Sequence, residues 1–389
     1  MEGGFLSASD SGASTWLVRR AQVRADVPDP VLELKLMLGD GPFSLIAVFS
    51  SPQADFPALV KQMSAAFPNS TTIGCTTAGE LGMDGYTESE IVAIALPEDR
   101  FQVSTLIIDD LSHMDRQELV GQMVRTRSLL AEKAPALTNE FAFLLIDGLS
   151  IREDELVSAA VNGLGSMPLF GGSAGDGTRF QQTLISHDGQ VFEDAALITF
   201  VRTDCHVHVF SLDHFKPTEQ RMVVTSADPA RRIVHEINAE PASREYARLL
   251  GKDPEQLTSF TFAAHPVVVR IGGQHHVRSI QRVMENGDLV FFSAIDEGLV
   301  LTLAEPEDME THLKRELQRI SGGRTPDAIL ACDCILRRLE AQEKQQTRSI
   351  SGVMSDHRVI GFSTYGEQIN GMHVNQTMTG VAIFPPDAG

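Results

Sequence analysis

Of the twelve histidines in this chain, His214 stands in the context best suited to chemistry, Asp213-His214-Phe215-Lys216-Pro217. An imidazole beside an aromatic ring and ahead of a stiff proline can ligate a metal or a haem iron, although a histidine near an aromatic is more often a surface or hydrogen-bonded residue. It follows a predicted strand, His206–Phe210, so a ligand there would face a pocket from a strand end. His265 is a second candidate: Pro266 biases it to an extended conformation at the start of an apolar strand. The chain has no Cys-x-x-Cys-His, which excludes covalent c-type attachment. A non-covalent haem needs an apolar slot and one axial ligand. Phe210, Phe215, Pro217 and the run Val267–Ile271 are the expected walls of that slot. His275 and His276 fall in a predicted turn and read as solvated; His113, His187, His312 and His357 read as surface.

Other chemistries find less support. Cys205, His206 and His208 cluster, and Cys332 and Cys334 form a second pair. Strand alternation puts His206 and His208 on the face opposite Cys205, which disfavours a zinc site. Glycine-containing loops end in Glu80, Asp176 and Glu367, which would repel phosphate, and no Lys-Ser/Thr follows them as a P-loop requires. Their plainer reading is turn chemistry at strand ends. A functional alternative is a cleft lined by backbone N–H groups with Thr76, Thr77, Ser173, Ser363 and Thr364. Cys75 lies in one such loop but has no assignable base, and no Gly-x-Ser-x-Gly elbow occurs. Glu153-Asp154-Glu155 reads as the charged first turn of a helix. The expectation is a protein without catalytic output.

The elements that position these residues form an internal repeat. Phe43–Ser50 is an apolar run of strand character, Asp55–Phe67 has helical spacing behind an Asp cap, Thr71–Cys75 is a second strand and Ile91–Leu96 a third. The order returns with Phe141–Ile146, Glu153–Leu164, the loop Leu169–Asp176 and Ala195–Val201. It returns again with Ala328–Ala331, Ile335–Glu343, Val359–Glu367 and Thr379–Phe384. The first and third loops share one spacing, from Gly74 to Gly79-Glu80 and from Gly361 to Gly366-Glu367; the second is one residue shorter. Strand–helix–strand with short connections predicts parallel pairing, so the three glycines should occupy comparable sheet positions. Between the second and third units the sequence is β-rich, with hairpin turns at His187-Asp188-Gly189 and Asn286-Gly287. Further helices are predicted at Asp115–Glu132, Ala242–Leu250 and Glu307–Ile320.

With 389 residues, the chain is long enough for two or three domains, or for two halves sharing one core. Net charge is −20, which disfavours a nucleic-acid binder, and the basic doublets Arg19-Arg20, Arg231-Arg232 and Arg337-Arg338 are far apart. Four cysteines are too few for a disulfide scaffold. Met1 to Ser14 is polar and reads as a mobile arm rather than a signal peptide, and no apolar run is long enough to span a bilayer. A cytoplasmic location with no membrane contact is expected.

The three loops resemble the signatures of FIST proteins, intracellular sensory modules that pair an N-terminal with a C-terminal FIST domain. The resemblance covers about Val31 to Phe384. It implies an α/β architecture of mixed sheets with flanking helices in two halves: an arm over 1–30, a FIST N-terminal domain over 31–210 and a FIST C-terminal domain over 211–389. The segment around His214, with Ala264-His265-Pro266, is similar to the haem-binding, nitric-oxide-sensing subgroup (NosP). That similarity implies non-covalent haem b with His214 as metal ligand. His265, Phe215, Phe210 and Pro217 would line its pocket, and a diatomic gas would release the trans histidine. It also implies signalling through protein contact to a histidine kinase or a cyclic-di-GMP enzyme, with homo-oligomerisation open. The alternative is a haem-free FIST module that binds a small metabolite such as an amino acid.

Overall fold

A computed structural model describes residues 17–271 and 273–386. Met1 to Ser14 lie outside them. Among the described residues the chain forms four sheets and nine α-helices, the mixed α/β class expected from the sequence. The repeat is longer than its sequence pattern suggests. Each unit runs edge strand, helix, strand, helix, strand, short hairpin, strand, with two helices, Ile335–Glu343 and Thr347–Asp356, in the second helical place of the third unit. The first unit occupies 19–97, the second 101–203 and the third 206–384. The third is interrupted after its edge strand His206–Leu212 by an inserted β-rich sheet, 215–306. The N-terminal half thus carries two units, and the rest carries the third. Within the expected arm, 1–30, Arg19–Arg24 already forms a strand, paired antiparallel with Glu90–Pro97.

Each unit centres on a parallel pair: Phe43–Ser50 with Thr71–Thr76, Asn139–Ile146 with Leu169–Ser173, and Ala328–Cys334 with Val359–Thr364. Both faces of these pairs are buried, which is why the strands read as nearly continuous apolar runs. One face of each sheet enters a common core, where Phe49 stacks on Phe362 at 4.7 Å and meets Phe143 edge-on at 6.3 Å, one ring from each unit. The other face is covered by that unit's own helices, through Leu59 and Met63, Leu156 and Ala160, or Leu313 and Met354. The result is a three-sided prism of sheets with helices outside.

The hairpin of each unit leaves its own sheet and joins a neighbour. The Glu80–Thr87 hairpin of the first unit pairs with the third, Gly361 opposite Leu81. The Glu367–Val374 hairpin of the third pairs with the second, Gly171 opposite Gln368. The Ile185–Phe192 hairpin of the second pairs with the first, Gly74 opposite Ser186. The exchange closes cyclically, and the three glycines hold equivalent places, as the repeat predicts. A Cβ at Gly74, Gly171 or Gly361 would lie 2.5, 2.3 or 1.8 Å from the carbonyl oxygen of Val48, Leu144 or Ala331, its partner on the parallel strand. Close strand approach, rather than turn formation, is what demands glycine here.

Candidate functional site

The loops that follow these glycines close on one another. Four residues after each glycine, a backbone N–H donates to the carbonyl two residues after the glycine of the next loop. Ala78 donates to Ser363 at 2.9 Å, Tyr365 to Ser173 at 3.3 Å and Gly175 to Thr76 at 3.1 Å. The N–H groups that could have cradled a ligand are spent on this ring. Glu80 and Glu367 are buried in it and play one role. Each accepts from a threonine three residues before it (Thr77, Thr364) and from a backbone N–H ten residues after it (Glu90, Thr377). Burial pushes the Glu80 carboxyl up to about 7 and that of Glu367 up to about 8. Cys75 is fully buried, and burial alone raises its thiol well above the ordinary range, so it is not an activated nucleophile.

The ring leaves a cleft at the carboxyl end of each parallel pair, the place where α/β sheets usually present a site. In the first unit the cleft is an open groove of about 430 Å³, lined by Asp55, Thr76, Asp176 and Arg179. In the third unit arginines fill it. Arg338 lies against Gly79, where a Cβ would be 1.5 Å from Nη1, and pairs with Glu88 at 2.8 Å. Arg337 is fully buried and pairs with Asp333 at 2.7 Å; Tyr86 donates to the same carboxylate at 2.5 Å.

His214 belongs to this third cleft. Arg337 Nη1 lies 3.0 Å from His214 Nδ1, and Glu340 lies 3.0 and 3.1 Å from Nε2. A guanidinium only donates, so Nδ1 must accept. Nε2 therefore carries the ring proton and donates to Glu340, which also takes the Lys344 ammonium at 2.6 Å. Burial keeps the imidazole from charging, and its pKa is lowered. Neither ring nitrogen has a lone pair left for iron, so His214 as arranged does not fit the axial role expected of it. The chain rather uses it to join two buried ions.

The other expected pocket residues point to different places. Phe210 packs in the core beneath the third unit's helices, and Phe215 sits over His214 with Val268, Val277 and Ala304. Pro217 lines a groove on the outer face of the inserted sheet. His265 caps a short helix, half-buried; Tyr246 donates to its carbonyl at 2.5 Å, and burial lowers its ring pKa. His312 is buried 6.3 Å from His214, not on the surface, because helix Met309–Ser321 turns that side inward. Among the described residues, no group of three or more His, Cys, Asp or Glu is placed to hold a metal ion.

The second unit's cleft is roofed by the inserted sheet and contains residues that no sequence motif marked. His373, Asn375 and Gln368 come from the third unit's exchanged hairpin and the segment after it, and all are fully buried or nearly so. Gln368 Nε2 reaches Ser173 Oγ at 3.0 Å and His373 Nδ1 at 3.2 Å; His373 Nε2 lies 3.3 Å from the Phe292 carbonyl in the roof. Gly366 makes room for these side chains, since a Cβ there would be 2.3 Å from His373 Cε1 and 3.1 Å from Asn375 Nδ2. Both amide atoms of Asn375, Oε1 of Gln368 and Oγ of Ser293 are buried without a hydrogen-bond partner. Charges of both signs surround His373, namely Glu153, Asp154, Arg232 and Arg278, while burial holds its own ring neutral. Arg232 ties roof to floor: it donates to the Phe292 carbonyl and to Glu153, each at 2.5 Å.

Comparison with known proteins agrees with the loops. The FIST N domain model matches residues 44–240, just over half the chain, and the FIST C domain model matches residues 242–370. The first match runs from the second strand of the first unit through the second unit and into the inserted sheet; the second covers the rest of that sheet and most of the third unit. No curated protein matches the chain. With both domain models matched in order around one ring of glycine loops, the chain belongs to the FIST family of sensory proteins.

Proposed function

We propose that this protein is a sensory module whose input is a small polar molecule held in the roofed cleft of the second unit, beside His373 and Asn375. The observation that carries the reading is Asn375: its whole amide is buried, yet both of its polar atoms lack a partner. An unpaired buried polar group costs about 1–3 kcal/mol, so native proteins supply a partner for it. Gln368 Oε1 and Ser293 Oγ add two further free positions nearby. Two carboxylates and two guanidiniums around a neutral imidazole suit a zwitterion, an amino acid being the simplest. A ligand here would touch the exchanged hairpin and the inserted roof together. It would thereby favour one setting of the roof on the prism, and a two-state shift of that kind is what a partner can read. Output by protein contact, to a histidine kinase or a cyclic-di-GMP enzyme, completes the proposal.

Thermal-shift measurements with the twenty amino acids test it. A ligand at a hundred times its Kd adds about 2.7 kcal/mol of stability, so at least one member should raise the melting temperature clearly. Asn375→Leu, which fills the position with an apolar side chain, should abolish that rise. A Soret band on adding haem, with no amino-acid response, would replace this reading with the haem-based one.

A further inference from the structure

The inserted sheet has two faces of opposite character. One carries Met222, Val224, Val267, Val269, Leu301 and Leu303 into a core closed by Tyr246 and Phe262. On the other, strand register lines up Arg221 with Thr302, Thr302 with Val268, and Arg270 with His275. These side chains share one face because residues paired across a ladder, and residues two apart, point the same way. Phe215, Val268, Val277 and Ala304 cover the inner end of this face. The outer end is an open groove of about 590 Å³. Arg221, Arg270 and His275 line it, with Glu219 as the carboxylate at its rim. Val223 and Val300, paired across the same ladder, extend it with apolar surface 39% and 48% exposed.

We propose that this groove is a docking surface for an acidic segment of a partner protein, one that alternates apolar and carboxylate side chains in extended form. Charge carries the argument. Arg24, Arg116, Arg248, Arg315 and Arg319 are exposed arginines held in ion pairs with acids. Among the described residues, Arg221 and Arg270 make no ion pair, although the chain carries a net charge of −20. Two uncommitted guanidinium forks above an apolar strip match carboxylates presented at alternate positions of a strand. A nucleic-acid backbone would extend beyond the two guanidiniums over the acidic remainder of the surface, whereas a short peptide segment can end within the groove.

Fluorescence anisotropy with a labelled decapeptide of alternating Val and Glu tests the proposal, with a Val/Lys decapeptide and a short DNA duplex as comparators. The intact protein should bind the Val/Glu peptide in preference to both. Arg221→Glu/Arg270→Glu should weaken that binding at least about tenfold, the loss expected for charge-assisted hydrogen bonds, and raising salt should weaken it further. Both positions are exposed, so an unchanged circular dichroism spectrum and melting temperature will confirm that the variant folds. Absence of Val/Glu binding, equal binding of both peptides, or no loss in the double variant would overturn the proposal. Tighter binding of the duplex, lost in the same variant, would overturn it in favour of phosphate recognition.

Discussion

Alanine at Gly361 tests whether the three glycines are equivalent because the parallel strands approach closely. The added Cβ would lie 1.8 Å from the Ala331 carbonyl oxygen, at a backbone φ of +152°. Ordinary van der Waals contact would require the strands to separate by about 1.5 Å, across a ladder whose other side is held by the exchanged hairpin. Overpacking of this kind costs about 1–3 kcal/mol and the unusual φ about as much again, so Gly361→Ala should lose about 3–5 kcal/mol. Gly171→Ala and Gly74→Ala, with contacts of 2.3 and 2.5 Å and no positive φ, should each lose about 2–3 kcal/mol. Gly352→Ala is the control. It lies within helix Thr347–Asp356 with nothing within 4 Å, and should gain about 0.5–1 kcal/mol. Urea unfolding followed by circular dichroism reads all four, provided the m-value is unchanged. A Gly361→Ala protein within 1 kcal/mol of wild type, or an effect at Gly74 larger than at Gly361, would refute the close-approach argument.

Further predictions concern the buried charges. His214→Ala should lose about 3 kcal/mol or more in the same assay, because it strips Arg337 and Glu340 of their shared partner; a loss under 0.5 kcal/mol would contradict the network. Glu367 holds its proton to about pH 8, far above the unfolded value of 4.5, so its contribution is complete below pH 4.5 and is lost as pH rises through 8. The buried histidines, with lowered pKa values, have the opposite slope below about 6.5 and none above it. Stability should therefore fall between pH 6.5 and 8, and Glu367→Gln should flatten that fall; an unchanged slope would show that Glu367 is ionised throughout. Tyr365→Phe should cost about 1–3 kcal/mol, since its hydroxyl bonds Asp176 and the Gly177 carbonyl, and its stacking on Phe180 at 4.3 Å should persist.

The parallel pairs and their glycines were legible because a strand buried on both faces leaves a continuous apolar run, and a glycine recurs at each place where another strand's carbonyl leaves no room for a Cβ. The leading edge strand was legible in the third unit, as His206–Phe210, but not in the first two, Arg19–Arg24 and Phe101–Ile108. Arg19–Arg24 has one face toward the core and carries three arginines, too weak a period-two signal to stand out. The hairpin exchange left no trace either, because it is made by three-residue strands that pair far along the chain. His214 has the local context of a ligand candidate. Its actual role depends on Arg337 and Glu340, more than 120 residues away. The roofed cleft leaves little mark in the sequence for a similar reason. His373, Asn375 and Gln376 form no chemical motif; the one signal was a polar run, Asn375-Gln376-Thr377, where the repeat calls for entry into a buried strand.

The most direct test of the sensory reading is isothermal titration calorimetry of the intact protein and of Asn375→Leu with the amino acid that most raises the melting temperature. One site per chain is expected in the intact protein and no measurable heat in the variant, with both proteins folded by circular dichroism. Equal affinity in the two proteins would place the ligand elsewhere, and no binding by the intact protein to any of the twenty would contradict the claim that the Asn375 cleft is the input site.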